Sequence, residues 1–156
     1  RLDGRRALVS GAGRGIGLAA AAALADQGAH VTLLARSGNE IEAAAAAIRA
    51  KGGAAEALAL DVNDLTATEA AIMQAEPFDI LVNNAGNTLC PTFIETPLTK
   101  PFLAVPGFRE QVEAKIKLGR VGQVEDLMGA LLLLASDAGA LMTGSALLVD
   151  GGWTAD

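Results

Sequence analysis

The stretch of this 156-residue sequence that most directly implies a ligand is Ser10-Gly11-Ala12-Gly13-Arg14-Gly15-Ile16-Gly17. Glycine lets a backbone turn tightly and approach a ligand with no side chain in the way. The stretch follows a short apolar run, Arg6-Ala7-Leu8-Val9-Ser10, and opens a helical pattern from Gly15 to Gln27. A helix that begins at such a turn offers unpaired N–H groups and the positive end of its dipole, which suits a pyrophosphate. Glycines alone are a weak signal; their place between a strand and a helix makes a dinucleotide site specific. The alternative is a glycine-rich turn that holds nothing.

The end of the next apolar run bears on which dinucleotide. An acid about 20 residues beyond the glycines holds the ribose 2′-hydroxyl of NAD, whereas an arginine accommodates the 2′-phosphate of NADP. Here the sequence reads Leu34-Ala35-Arg36-Ser37, with no carboxylate. Arg14 and Arg36 together could clamp a phosphate. NADP is therefore expected, with NAD as the alternative; otherwise both arginines are solvated surface groups.

Other chemistry is sparse. Cys90 is the single cysteine and His30 the single histidine. A nucleophilic cysteine needs a positioned base, and a buried strand cysteine is the plainer reading. The usual four-ligand His/Cys zinc site is excluded. Glu40/Glu42 and Glu110/Glu113 read as solvated helix faces, and Trp153 as a packing, pocket or interface aromatic. There is no tyrosine, so no step in these residues can use a phenol. A net charge of −6 argues against binding nucleic acid or an anionic membrane. One cysteine fits a reducing compartment. No apolar run is long enough to span a membrane and no leader opens the sequence, so a cytoplasmic location is expected. The sequence begins at Arg1 rather than methionine, and residues ahead of it are expected.

The length suits one domain. Strands are expected at Arg6–Ser10, His30–Leu34, Ala57–Leu60 and Phe78–Val82. Helices are expected over Gly15–Gln27, Asn39–Ala50 and Leu65–Ala75, with Gly28 and Gly52-Gly53 as stops and Asn63 or Asp64 as a cap. This alternation predicts an α/β fold, a doubly wound parallel sheet of Rossmann type, in a single domain over residues 1–156. After Gly86 the rhythm breaks. Asn87–Cys90 reads as a short strand, Thr92–Gly107 as a loop or lid punctuated by prolines, Phe108–Lys117 and Val124–Ala135 as helices, and Ala146–Val149 as a last strand.

Four motifs in order resemble the short-chain dehydrogenase/reductase family, most nearly its gluconate dehydrogenase and 3-oxoacyl-thioester reductase members. The family's Thr-Gly-x-x-x-Gly-x-Gly is matched by Ser10, Gly11, Gly15 and Gly17. Its Asp-Val is matched by Asp61-Val62, and its Asn-Asn-Ala-Gly by Asn83-Asn84-Ala85-Gly86. Its later Pro-Gly-x-x-x-Thr is matched by Pro91-Thr92-Phe93-Ile94-Glu95-Thr96, with Thr92 in the glycine place. The C-terminal Thr143-Gly144 and Val149-Asp150-Gly151-Gly152 also match. The resemblance implies hydride transfer between NADP(H) or NAD(H) and a secondary alcohol or ketone. It implies a nucleotide site of Ser10, Gly11, Arg14, Gly15, Ile16, Gly17, Arg36, Asp61, Val62, Asn83, Ala85, Gly86 and Pro91, with Ile94 and Thr96 at the nicotinamide carboxamide. It further implies homodimers or homotetramers, a small carbonyl or alcohol substrate, and a mobile lid over Thr96–Gln111.

The family's catalytic residues are a tyrosine, a lysine four residues on, a serine and an asparagine. None can be placed here. In the family they lie between the Asn-Asn-Ala-Gly and Pro-Gly motifs, which almost touch in this sequence. Parallel neighbours need a crossover of about a dozen residues. One peptide step is about 3.8 Å, against roughly 17 Å for a five-residue strand. A segment with one strand and its flanking helices is therefore expected to be missing, with the chain broken near residues 86–88; the alternative is a genuine deletion that folds differently. The apolar helix Val124–Ala135 and the last strand are expected to pair with a second copy.

Overall fold

The computed structural model describes residues 1–84, 92–140 and 147–155. The chain forms two compact units, Arg1–Asn87 and Thr88–Asp156.

The first unit is a parallel sheet with flanking helices, as its apolar runs require. Strands β1 (Arg6–Ser10), β2 (His30–Ala35), β3 (Ala54–Ala59) and β4 (Ile80–Val82) lie in the order β3-β2-β1-β4. Val9 stands beside Leu33, and Ala7 beside both Val31 and Ile80. Helices α1 (Gly15–Asp26) and α2 (Gly38–Ala50) close one face, where Leu24, Leu33, Ile41, Val9 and Val31 are fully buried. Alternation puts Leu8, Thr32, Glu56 and Leu58 on the other face. There α3 (Leu65–Gln74) lies more loosely: none of its residues is buried, and a cavity of about 320 Å³ reaches Leu8, Thr32, Leu58, Ile72 and Phe78. Gly28 ends α1 in the left-handed region at φ 98°, and Gly52 follows α2 at φ 91°.

Two strands start more than one residue from the expected position, and β2 and β3 each end within one residue of it. β3 starts three residues early, at Ala54, because it pairs with β2 from His30 onward and Thr32 donates to Glu56 at 2.6 Å. Alanine and glutamate are poor strand residues, and cross-strand pairing overrides that preference. β4 is three residues long because Asp79 takes the Arg6 N–H on its own carboxylate, at 2.8 Å, while Arg6 lies over the Phe78 ring. α3 is capped by Asp64, which accepts from the Ala67 N–H at 3.0 Å.

In the second unit, α4 (Lys100–Leu103) and α5 (Phe108–Glu113) are joined through the left-handed Gly107. The stretch expected as a loop thus contains a turn of helix. Leu103, Val112, Ile116 and Val121 form a small core, with Phe93, Phe108 and Trp153 packed on it. α5 stops four residues short of Lys117. Beyond Glu113 the chain tightens to i→i−3 bonds, Lys115 to Val112 and Ile116 to Glu113, which turn Ile116 inward. The expected helix Val124–Ala135 begins as a 3₁₀ turn, Val124–Leu127, and becomes α6 (Met128–Ala135). Asp126 fixes that start by accepting from the Gln123 N–H and from Arg120. No residue of α6 is buried. Leu147–Val149 forms no strand, so the expected last strand is corrected within the described residues. The expected strand at 87–90 and the break near 86–88 fall on residues outside those described. None of the described helices is long and apolar enough to cross a membrane.

Candidate functional site

The glycine turn leaves β1 at the carboxyl edge of the sheet. There the strand order reverses between β1 and β4, and ligands of open α/β sheets bind at such a point. Gly11 and Gly15 stand at φ 65° and 59°, which side chains rarely adopt. Gly17 is needed for space: a Cβ there would lie 2.4 Å from Gly11 O and 2.6 Å from Asn84 Nδ2. The Ala12 N–H donates to Leu34 O at 3.2 Å, tying the turn to β2.

Arg14 caps α1 in extended backbone, and no side chain satisfies the helix N-terminus. Arg14 O accepts from the Leu18 N–H at 3.4 Å. The N–H groups of the first turn are thereby left for a ligand.

β4 latches this turn from below. The Asn84 N–H donates to Ser10 Oγ at 2.9 Å, and the Asn84 side-chain amide donates to Ser10 O at 3.1 Å. The Ser10 hydroxyl reaches Asn83 Oδ1 at 3.3 Å and Val82 O at 3.4 Å. Asn84 was not among the expected site residues. Its role depends on β4 lying next to β1, a pairing 74 positions apart in the chain; the adjacent Asn83-Asn84 pair was the available signal.

The remaining expected residues of the first unit share the same sheet edge. Arg36 follows β2 and is exposed, as is Arg14. Asp61 follows β3, where its carboxylate accepts from the Asn63 N–H at 3.0 Å, and half-buried Val62 follows it. Ile16 is half-buried in the first turn of α1. Ala85, Gly86 and Pro91 lie outside the described residues.

Ile94 and Thr96 stand in the second unit. Ile94 is buried and bridges Gly122, whose missing Cβ leaves room for its side chain. Thr96 and Thr99 bond one another at the start of α4, and Thr99 Oγ1 donates to Ile94 O at 2.6 Å. Arg109 anchors the segment by donating to Glu95 at 2.8 Å, which holds the Glu95 carboxyl below its usual range. Thr96–Gln111 is thus internally bonded and contains α4 and part of α5.

The site fits a dinucleotide phosphate on this chain's own geometry: two left-handed glycines, a cradle that a Cβ would fill, and an uncapped helix start. Tyrosine does not occur in the sequence.

Comparisons agree with that geometry. The sequence profile described as short chain dehydrogenase matches residues 5–105, and one described as enoyl-(acyl carrier protein) reductase matches residues 86–154. L-rhamnose 1-dehydrogenase (NAD(P)(+)) of a Sphingomonas species is 50% identical over 66 residues, 42% of this chain and 26% of that protein. The chain spans about a quarter of the length of the first curated relatives that it matches. D-erythrulose reductase of Gallus gallus is 28% identical over 239 positions, covering 96% of each. Those 239 positions exceed the 156 residues here by 83, so at least that many positions of the alignment have no residue of this chain. The crystal structure of a gluconate 5-dehydrogenase from Burkholderia cenocepacia, in complex with NADP and tartrate, superposes with a TM-score of 0.88 at 25% identity, covering 100% of this chain and 97% of that one. Because the first profile covers well over half of the residues, the chain belongs to the short chain dehydrogenase family.

Proposed function

We propose that this chain carries the dinucleotide-binding part of an oxidoreductase that moves a hydride between NADP(H), or NAD(H), and a secondary alcohol or ketone. The observation that carries the reading is the glycine turn at the strand-order reversal, latched by Asn84. The dinucleotide, when bound, supplies the hydride chemistry. Gly11, Gly15 and Gly17 let the backbone approach its phosphates, and the start of α1 donates N–H groups to them. Arg14 and Arg36 favour a 2′-phosphate, and Asp61 and Val62 close the adenine side. Ile94 and Thr96 serve the nicotinamide end in the complete protein, with Asn83, Ala85, Gly86 and Pro91 contributing backbone.

The proton-transfer residues belong to a segment that relatives carry and this sequence lacks; the unmatched alignment positions support that reading. We place the protein in the cytoplasm as a homodimer or homotetramer, its substrate a small carbonyl or alcohol compound. The exposed Leu134, Leu147 and Leu148 support self-association.

Calorimetric titration of the protein with NADP⁺ and NAD⁺ tests the reading. NADP⁺ should bind more tightly, and Arg36→Ala should erase most of the difference. Equal affinities that the substitution leaves unchanged would remove the arginine clamp.

A further inference from the structure

The Glu40 carboxylate lies at the glycine turn, although the sequence pattern gives it an ordinary exposed helix position. A Cβ built on Gly13 would stand 3.1 Å from Glu40 Oε2 and 3.6 Å from Glu40 Cβ. The placement is anchored by its neighbours. Ile41 is fully buried, with Cγ2 3.8 Å from the same Gly13 position, and Gly38 approaches Ala59 on the other side. Glu40 is also in the first turn of α2, four residues after Arg36. Among the described residues, neither Glu40 nor Arg14 nor Arg36 has an ion-pair partner. Three uncompensated charges, two positive and one negative, therefore stand around the turn and the end of β2.

We propose that Glu40 sets the cofactor preference of the glycine-turn site: its carboxylate accepts a ribose hydroxyl, as the acid missing at Ala35 would, and opposes the 2′-phosphate that Arg14 and Arg36 attract. The inference rests on the dinucleotide reading of the turn. A ligand that spans the glycine turn and the end of β2 must pass the start of α2, and Glu40 is the only carboxylate of that first turn. A hydroxyl can donate to a carboxylate, whereas a phosphate cannot and is repelled by it. Glu40 thus supports NAD(H) in a site whose arginines favour NADP(H), and the pair of opposing charges yields dual acceptance.

The test is calorimetric titration of the full protein with NADP⁺ and NAD⁺, without turnover, for wild type, Glu40→Gln, Glu40→Lys and Glu42→Gln. Glu42 is the control, because its carboxylate is held by Arg49 at 2.6 Å on the same helix. Glu40→Gln should shift the affinity ratio about fivefold toward NADP⁺, as expected for one charge a few ångströms from a phosphate in a largely aqueous setting. Glu40→Lys should shift it further, and 0.5 M salt should shrink both effects. Glu42→Gln should leave the ratio within twofold of wild type. If the wild type binds both cofactors and the ratio ignores the charge at residue 40, or follows residue 42 equally, the role of Glu40 is refuted and the site stands. If the wild type binds neither, the dinucleotide reading and the role of Glu40 fall together.

Discussion

Gly17 and Gly13 show how the same residue type carries different constraints four residues apart. A Cβ at Gly17 would meet backbone oxygen and the Asn84 amide well inside contact distance. Neither can retreat, because Asn84 is held by Ser10 O and by Ser10 Oγ. Gly17→Ala should therefore destabilise the first unit by about 1–3 kcal/mol through overpacking and weaken dinucleotide binding at least tenfold. At Gly13 the one tight approach is to the far end of Glu40, at 3.1 Å, while Glu40 Cβ and Ile41 Cγ2 stand at ordinary contact distance, so Gly13→Ala should melt within about 0.5 kcal/mol of wild type. Thermal melts and titrations of the two variants check this pair; equal damage would mean that the turn, not the close approach at Gly17, is limiting. The glycines were legible in sequence because their need is local. Asn84 and Glu40 were not, because each acquires its role from an element that folds beside the turn: β4 for one, the start of α2 for the other.

At the scale of elements, the long apolar helix expected at Val124–Ala135 is divided by Asp126. Its side chain accepts from Arg120 at 2.7 Å and from the Gln123 N–H at 2.7 Å. The bond to Arg120, followed by that to the Gln123 backbone, lowers its carboxyl from 3.8 to about 2. A depressed carboxyl stabilises the fold above its unfolded value and loses that contribution as protons bind. Acid should thus loosen the second unit between about pH 4 and pH 2. Asp126→Asn should flatten that step and cost about 1 kcal/mol at neutral pH through the weakened cap. Fluorescence of Trp153, the single tryptophan, which packs on the second unit's core, reads the transition. An acid step that the variant leaves unchanged would assign it to other carboxylates. The sequence pattern showed the apolar run but not its divided start, since the capping acid sits inside the run and mimics a helical surface residue. The start of β3 is hidden in the sequence for the opposite reason: its alanines carry no strand preference, and only the ladder with β2 defines them.

For the whole molecule, the parallel α/β order of the first unit is legible in the sequence because apolar strand runs alternate with helical patterns, with glycine stops after α1 and α2 and the Asp64 cap at α3. The alignment with D-erythrulose reductase leaves at least 83 positions with no residue of this chain. The intact protein should weigh more than 15.8 kDa and should show tyrosine absorbance. A measured mass of 15.8 kDa with no tyrosine would establish the short chain as complete. Light scattering at micromolar concentration should give a dimer or tetramer. Leu134 is 53% and Leu148 70% exposed, and a monomer that leaves them so would overturn the association.

β4 has a further consequence for handling this protein. It is the last strand of the described sheet, and Leu81 at its centre is 68% exposed. Ile80-Leu81-Val82 carries no charge, and an open edge of such residues is a template onto which a foreign strand can add. Asp79 is the nearest gatekeeper, yet its carboxylate is already engaged with Arg5 and the Arg6 N–H. Solutions of the 156-residue chain should therefore coarsen into β-rich aggregates on storage, and a lysine at Leu81 should delay that more than a lysine at exposed Met73 on α3.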